Sequence, residues 1–236
     1  MPLHGWLPDA YAEGPAPLTT ALSGLLINVA LLAILRFRHL MQANAAAGGS
    51  AMHPGPFLLT LGVASLFLAA FSFSRRRDAR RFFGFSSIEQ SGLVAFAFGI
   101  GGPAALFGGL LHMLLHSLLK PGLFLALIRA AQLRGAAAPG FYAFSHLRGL
   151  LHVNKYTGWL LALCIFALAG LPPSGLFASE FIIVSQTIQI NPWMSLPLGL
   201  GMLLCAVAIL RQIGPLLFAP APVSYTHLTL PTKRIV

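Results

Sequence analysis

The stretch His112-Met-Leu-Leu-His-Ser-Leu-Leu-Lys120 sets two imidazoles and one ammonium at four-residue steps among apolar and small neighbours. On a helix each such step drifts by only about 40°, so His112, His116 and Lys120 share one stripe about 12 Å long, with adjacent members about 6 Å apart. That spacing is too wide for direct proton transfer and suits a relay through bridging water. Histidine is also the side chain that titrates nearest neutrality. Other uses stay open at this point. A histidine facing a helix bundle can simply hydrogen-bond a neighbouring backbone. His-x-x-x-His can also be a metal-ligand pair, but no glutamate lies between to make His-Glu-x-x-His and lysine is a poor third ligand, so no metal is expected.

Two carboxylates lie at comparable depth in apolar sequence. Glu180 lies just after the segment Gly170-Leu-Pro-Pro-Ser-Gly175, in Gly175-Leu-Phe-Ala-Ser-Glu180. Consecutive Pro172 and Pro173 remove two N–H donors and crowd the carbonyls of Leu168 and Ala169, so a helix should break between Gly170 and Gly175. Broken helices at membrane depth line water or pack in protein, which makes a neighbouring acid a candidate proton site. The alternative is an acid reaching from a helix end to the interface. Glu89, in Ser86-Ser-Ile-Glu-Gln-Ser-Gly92, is read either as a pathway residue or as a helix-start acid near Arg80 or Arg81. Pro121 should free the Ser117 carbonyl, kink its helix and offer the Lys120 ammonium or a water a backbone acceptor.

The elements that must position these groups follow from hydropathy. The chain of 236 residues is 57% hydrophobic and 8% charged, against roughly 25% charged in ordinary soluble domains. Mean hydropathy is +0.80. Apolar runs near the roughly 20 residues of a bilayer-crossing helix recur along it. Helices are expected at 18–36, 56–74, 82–99, 103–131, 157–189 and 193–214. The fold class is therefore all-α, a polytopic transmembrane bundle of about six crossings, with the fifth broken at Gly170–Gly175. The fourth run would be about 40 Å long as one helix and should tilt or break.

Alternating six crossings puts Arg75, Arg76, Arg77, Arg80, Arg81, Arg129, Arg134, Arg148, Lys155 and Arg211 on one side, and Arg36 and Arg38 on the other. The arginine-rich side should be cytoplasmic, in a plasma (inner) membrane. The net charge of +10 does not point to nucleic acid, because the basic residues form no patch interleaved with aromatics. They sit at the ends of apolar runs. Cys164 and Cys205 fall inside apolar runs and suggest neither disulfide nor metal knot.

Three stretches, "PLHGWLPDAYAEGPAP", "HMLLHSLLK" and "LAGLPPSGLFASEF", resemble the antiporter-like subunits of respiratory complex I, membrane-bound hydrogenases and multisubunit cation/proton antiporters. The resemblance runs over residues 1–218. "SSIE" after a basic loop, with "GLFASEF", is most similar to the hydrogenase-4 F-type branch. It implies that His112, His116 and Lys120 match a central proton relay and that Glu180 matches the ionisable group of a second broken helix. It also implies partner subunits, membrane-embedded and hydrophilic, that perform the redox work; no cofactor is expected in this chain. Asn28 stands where complex I relatives carry a lysine, and an amide can hold a water but not a charge. Gln90 stands where relatives often have histidine, and a proline directly after the relay lysine is unusual.

The expectation is a proton-conducting membrane subunit of a hydrogenase-4-like or NADH–quinone-oxidoreductase-like complex. A Na⁺ or K⁺/proton antiporter subunit and a purely structural membrane anchor are the alternatives. By resemblance, residues 1–218 are the second part of a longer transmembrane domain. Composition changes near residue 219, and Val223–Val236 reads as an adaptor-derived, non-biological tail.

Overall fold

The computed structural model describes residues 5–47, 53–73, 77–134 and 142–220. Its described elements are helices joined by short links. A short helix, α1 (Leu7–Glu13), carries proline in its first turn, where the missing N–H costs nothing. It leads into α2 (Ala16–Ala46), followed by α3 (Pro54–Phe73). Next comes α4 (Ala79–Ile100), whose N-cap Asp78 accepts the Arg81 N–H at 2.9 Å. Gly101 and Gly102, both at positive φ, turn the chain into α5 (Pro103–Leu133). A single turn α6 (Leu150–Val153) precedes α7 (Lys155–Leu168) and α8 (Gly175–Ile190). A 3₁₀ turn at Pro192–Met194 opens the last stretch, α9 (Ser195–Leu210) and α10 (Ile213–Phe218).

Four stretches are long and apolar enough to cross a membrane: Ala16–Ala46, Pro54–Phe73, Pro103–Leu133 and Pro192–Phe218. With α4 and the interrupted pair α7–α8, they correspond to the six expected crossings. One boundary differs by well over a turn. The first helix continues ten residues past 36, because Leu, Met, Gln and Ala after Arg38 are good helix formers with no intervening glycine or proline. Arg36 and Arg38 therefore lie on α2 itself rather than in a loop, and Arg38 is largely buried against Gly101. The fourth run is one 31-residue helix that accommodates Pro121 in its interior. The break between α7 and α8 falls where the two prolines predict it, with Ser174 capping α8 through the Phe177 N–H at 3.2 Å.

Helix α4 is the axis of the bundle. Every residue from Phe82 to Phe98 is buried, polar ones included, because α1, α2, α3, α5 and α8 pack round it. Its closest neighbour is α3, and small residues make the approach possible. A β-carbon on Gly92 would lie 2.6 Å from that of Ser65, and one on Gly62 would lie 2.7 Å from the Gly92 carbonyl oxygen. In lipid, where water does not drive helices together, such close contact and its dispersion energy hold the pair.

The arginine-rich end of α4 is tied down by the segment ahead of α2. Arg80, buried, donates to the Gly14 carbonyl and, at 2.9 Å, to Thr19 Oγ1, and its guanidinium lies 4.8 Å from the Tyr142 ring centre. Arg81 meets Asp9 at 2.9 Å and Glu13 at 2.8 Å in exposed pairs worth roughly 0–1 kcal/mol each. An isolated antiparallel bridge, Asp78 with Ala143, clasps the same end. Two arginines of this basic run thus bind α1 and the start of α2.

Replacing Gly92 by Val should force α3 and α4 apart and cost about 1–3 kcal/mol, the usual range for overpacking. Thermal unfolding in detergent would show a lowered midpoint. Gly199→Ala on α9, where an added β-carbon meets nothing within 4 Å, should not lower it.

Candidate functional site

Helices α4 and α5 cross with their polar faces together. His112, His116 and Lys120 of α5 are all buried and form the expected stripe. The two imidazole rings are nearly parallel, 11° apart, with centres 6.4 Å apart. At one end of the stripe, Lys120 Nζ donates to the Phe83 carbonyl and, at 2.6 Å, to Ser86 Oγ. The Phe124 ring centre is 5.8 Å from the same nitrogen. An ammonium removed from water thus meets two oxygens and an aromatic face.

Of the two partners expected for the carbonyl freed by Pro121, a water or the ammonium, the ammonium is thereby set aside. The Ser117 carbonyl and the Pro121 ring face Gly24 of α2, where a β-carbon would lie 2.7 Å from the oxygen and 2.8 Å from the ring. Gly24 makes room for the proline in α5. The acceptors of Lys120 come from α4 instead, because the lysine points toward α4 and the freed carbonyl toward α2.

At the other end of the stripe His112 is held at both ring nitrogens. Nδ1 lies 2.9 Å from Ser179 Oγ of α8, and Nε2 meets Gln90 Oε1 of α4. Gln90 in turn donates through Nε2 to the Leu168 carbonyl at 3.4 Å. That carbonyl is one of the two that Pro172 and Pro173 deprive of helical partners, so the break supplies the acceptor that orients Gln90. Between the ends, His116 Nε2 is buried without a protein hydrogen-bond partner. A cavity of about 10 Å³, near the size one water needs, is lined by His112, His116, Gln90, Ser91 and Asn28 among others. Asn28 lines it while donating to the Met113 carbonyl at 3.4 Å.

Glu180 sits at the break itself. Gly170, at φ +65°, faces its carboxylate so closely that a β-carbon there would lie 2.0 Å from Oε2. Only glycine suits both the left-handed backbone and the space. Beside the carboxylate opens a cleft of about 320 Å³ between the break, α8 and α9, lined by Leu171, Phe181, Met202 and Leu203 among others.

Glu89 lies ten residues inside α4, buried, so its helix-start reading is corrected. Arg80 and Arg81 are engaged with α1 and the start of α2, and the helix start is capped by Asp78. Glu89 is within electrostatic range of both Lys120 and Glu180, and its carboxyl reaches the side chains of Gln90 and Cys205. Its Oε2 has no hydrogen-bond partner. Cys205 also contacts the Leu66 carbonyl at 3.5 Å.

His112, His116, Lys120 and Glu89 are thus buried between α4 and α5, with half-buried Asn28 beside the histidines and half-buried Glu180 at the break formed by Gly170, Pro172, Pro173 and Gly175. Sequence reasoning did not single out Ser86 and Ser179, which complete the partners of Lys120 and His112. Both are serines in apolar helices, and nothing in their spacing marks them until α4 and α8 are placed against α5. Among the described residues, no three His, Cys, Asp or Glu side chains are grouped to hold a metal ion. The tail residues 223–236 lie outside the described residues, as do Arg75 and Arg76.

Residues 1–207 match the family described as NADH:quinone oxidoreductase/Mrp antiporter, transmembrane. A hydrogenase-4 component F homologue of Methylacidiphilum infernorum is 44% identical over 213 residues, covering 90% of this chain and 43% of the relative. NADH-quinone oxidoreductase subunit M of Escherichia coli K12 is 29% identical, covering 98% of this chain and 43% of that protein. Two solved structures share the fold with a TM-score of 0.80. One is the archaeal membrane-bound sulfane sulfur reductase complex, at 24% identity, covering 95% of this chain and 46% of that one. The other is respiratory complex I of Thermus thermophilus with bound NADH, at 23% identity and the same coverages. The chain spans less than half the length of these relatives. It belongs to the NADH:quinone oxidoreductase/Mrp antiporter transmembrane family.

Gly170→Ala should push the Glu180 carboxylate toward the adjoining cleft and strain the left-handed turn by roughly 1–2 kcal/mol. A hydrophobic carbodiimide, followed by peptide mass mapping, should label Glu180 faster in the variant than in the wild type.

Proposed function

We propose, starting from membership of that family, that this chain conducts protons within a membrane subunit coupled to a hydrogenase-4-like or NADH–quinone-oxidoreductase-like redox complex. The observation that carries it is the unbroken buried line of titratable groups, from Lys120 through His116 to His112. Each end of the line is hydrogen-bonded to α4, and a water-sized cavity lies at the histidines. Titratable side chains inside a membrane bundle cost several kcal/mol and mark ion pathways by default.

In this proposal a bridging water carries a proton from Lys120 to His116, Lys120 recovers one from the α4 side, and the cavity holds a further water between His116 and His112. Asn28 orients that water and carries no charge itself. Glu89 and Glu180 form a second, acidic arm. Glu89 feels both Lys120 and Glu180, and Glu180 borders the cleft that opens beyond the helix break. The chain's own groups only bind, orient and pass protons. The electron chemistry belongs to partner subunits, both membrane-embedded and hydrophilic, and the arginine-rich ends face the cytoplasm.

The family also includes cation antiporters, and Glu89 with Glu180 offers carboxylate oxygens that a Na⁺ or K⁺ ion could use. The two readings separate on ion dependence. Lys120→Met keeps the volume of the stem and removes the proton carrier. In vesicles carrying the complete complex it should cut proton translocation about a hundredfold, the low end of what a positioned proton-transfer group contributes. Redox turnover with an uncoupler should persist. Wild-type translocation per electron in that variant would exclude the relay, and translocation that demands Na⁺ or K⁺ would favour the antiporter. A structural anchor predicts no change in either assay.

A further inference from the structure

We propose that Ser179 is a positioning residue whose hydroxyl lets His112 take up and release a proton with no heavy atom moving. The proposal rests on the proton path above and goes beyond it, because it assigns a device to one station.

Gln90 donates its amide N–H to the Leu168 carbonyl, so its Oε1 is the atom presented to His112 Nε2. An amide oxygen only accepts, so Nε2 carries hydrogen whether the ring is neutral or charged. Proton gain and loss are thereby confined to Nδ1, which lies 2.9 Å from Ser179 Oγ. The same Oγ lies 2.8 Å from the Leu176 carbonyl oxygen, one turn back on α8. The serine therefore has one hydroxyl proton and two acceptors within reach.

Two bonding patterns satisfy every group. With His112 neutral, the Ser179 hydroxyl donates to Nδ1. A proton bound for the ring arrives at Oγ, the hydroxyl's own proton passes to Nδ1, and the imidazolium N–H then donates to Oγ while the newly held O–H points at the Leu176 carbonyl. On release the Nδ1 proton returns to Oγ, the proton held toward Leu176 departs, and the hydroxyl again donates to Nδ1. One proton enters and one leaves, and only the O–H bond direction changes. Both residues are completely buried, so neither charge state could otherwise find a partner at that nitrogen without importing one. Other hydroxyls in these helices back-bond to carbonyls in the same manner, as Ser117 does to Leu114 and Thr187 to Ile183. Ser179 differs in having a ring nitrogen as its second neighbour.

The titratable groups facing this site are His116 and Lys120 on α5, Glu89 on α4 and Glu180 on α8, while Arg80 and Arg81 of α4, Arg129 of α5 and Arg36, Arg38 and His39 of α2 lie toward the ends of their helices. Helix α7 contributes buried Cys164 and the exposed Lys155 and Tyr156 at its start, and α2 presents the uncharged Asn28 amide. Within hydrogen-bonding distance of Nδ1, the partner is Ser179.

The test measures proton translocation against pH in vesicles carrying the complete complex, at matched redox turnover, for Ser179→Ala, Ser179→Thr and Lys120→Met. Without the hydroxyl the imidazolium has no acceptor at Nδ1. Ser179→Ala should therefore slow translocation about tenfold or more, as loss of a hydrogen bond to a charged group implies, and the half-maximal pH should move down. Threonine restores the hydroxyl and should return rate and profile to near wild type. An imidazole infrared signature assigned through His112→Gln should show charged His112 in wild type and Ser179→Thr and lose it in Ser179→Ala. If Ser179→Ala does not assemble, Ser179→Cys, with a weaker S–H donor, should give an intermediate rate and profile. A wild-type rate and profile in Ser179→Ala or Ser179→Cys, or a threonine variant as impaired as the alanine one, would overturn the proposal. Those results beside a defective Lys120→Met leave the proton path standing. Normal translocation in Lys120→Met as well removes the path.

Discussion

An ammonium carried into a membrane-spanning bundle must find acceptors before its helix can pack, and the rest of this structure follows from where Lys120 finds them. The Phe83 carbonyl and Ser86 Oγ belong to α4, so α4 and α5 are held with their polar faces inward. That choice buries α4 along nearly its whole length and makes it the axis on which α1, α2, α3 and α8 rest. Replacing the pair by apolar residues could pack as well, since buried ionic groups are weak contributors to stability.

The helix break plays the complementary part. Pro172 and Pro173 free two carbonyls, and one of them, Leu168, is taken by Gln90, which aligns His112. The same turn brings Gly170 against the Glu180 carboxylate. Backbone irregularity in lipid is tolerated only where other groups take over the lost hydrogen bonds. Here the replacements are the very side chains that surround the titratable line, so local disorder in the hydrogen-bond ladder is converted into orientation at the site. Pro121 solves its own irregularity differently, by leaning on Gly24 of α2 and leaving the site alone.

The arginine-rich end shows a third use of polar groups. Arg80 is buried between the Gly14 carbonyl, Thr19 and the Tyr142 ring, and so fixes α1 against the start of α4. Tyr11 of α1 packs edge-on to Phe124 at 5.5 Å, one turn from Lys120. Burial pushes its hydroxyl above the usual phenol range, so it stays a neutral donor, to the Leu22 carbonyl at 3.4 Å. The short segment ahead of α2 thereby supports the lysine end of the polar line from outside it.

Much of this was legible from residue types and spacing alone. Hydropathy determined the crossings, the double proline determined the break, and four-residue spacing determined that His112, His116 and Lys120 share a face. Those features depend on interactions within one helix or on the cost of charge in lipid, which a linear sequence records. The sequence could not say which helix that face would meet. It therefore left the freed Ser117 carbonyl open to the Lys120 ammonium or a water, left Glu89 between two roles, and passed over Ser86 and Ser179. Those outcomes turn on which helices approach closely, and that is set by the Gly62, Ser65 and Gly92 contact, by Gly24 opposite Pro121, and by Gly170 opposite Glu180. Spacing along one helix determines which side chains travel together; only packing between helices decides which partners they find, because the hydrogen bonds that complete the site join residues 22 to 78 positions apart.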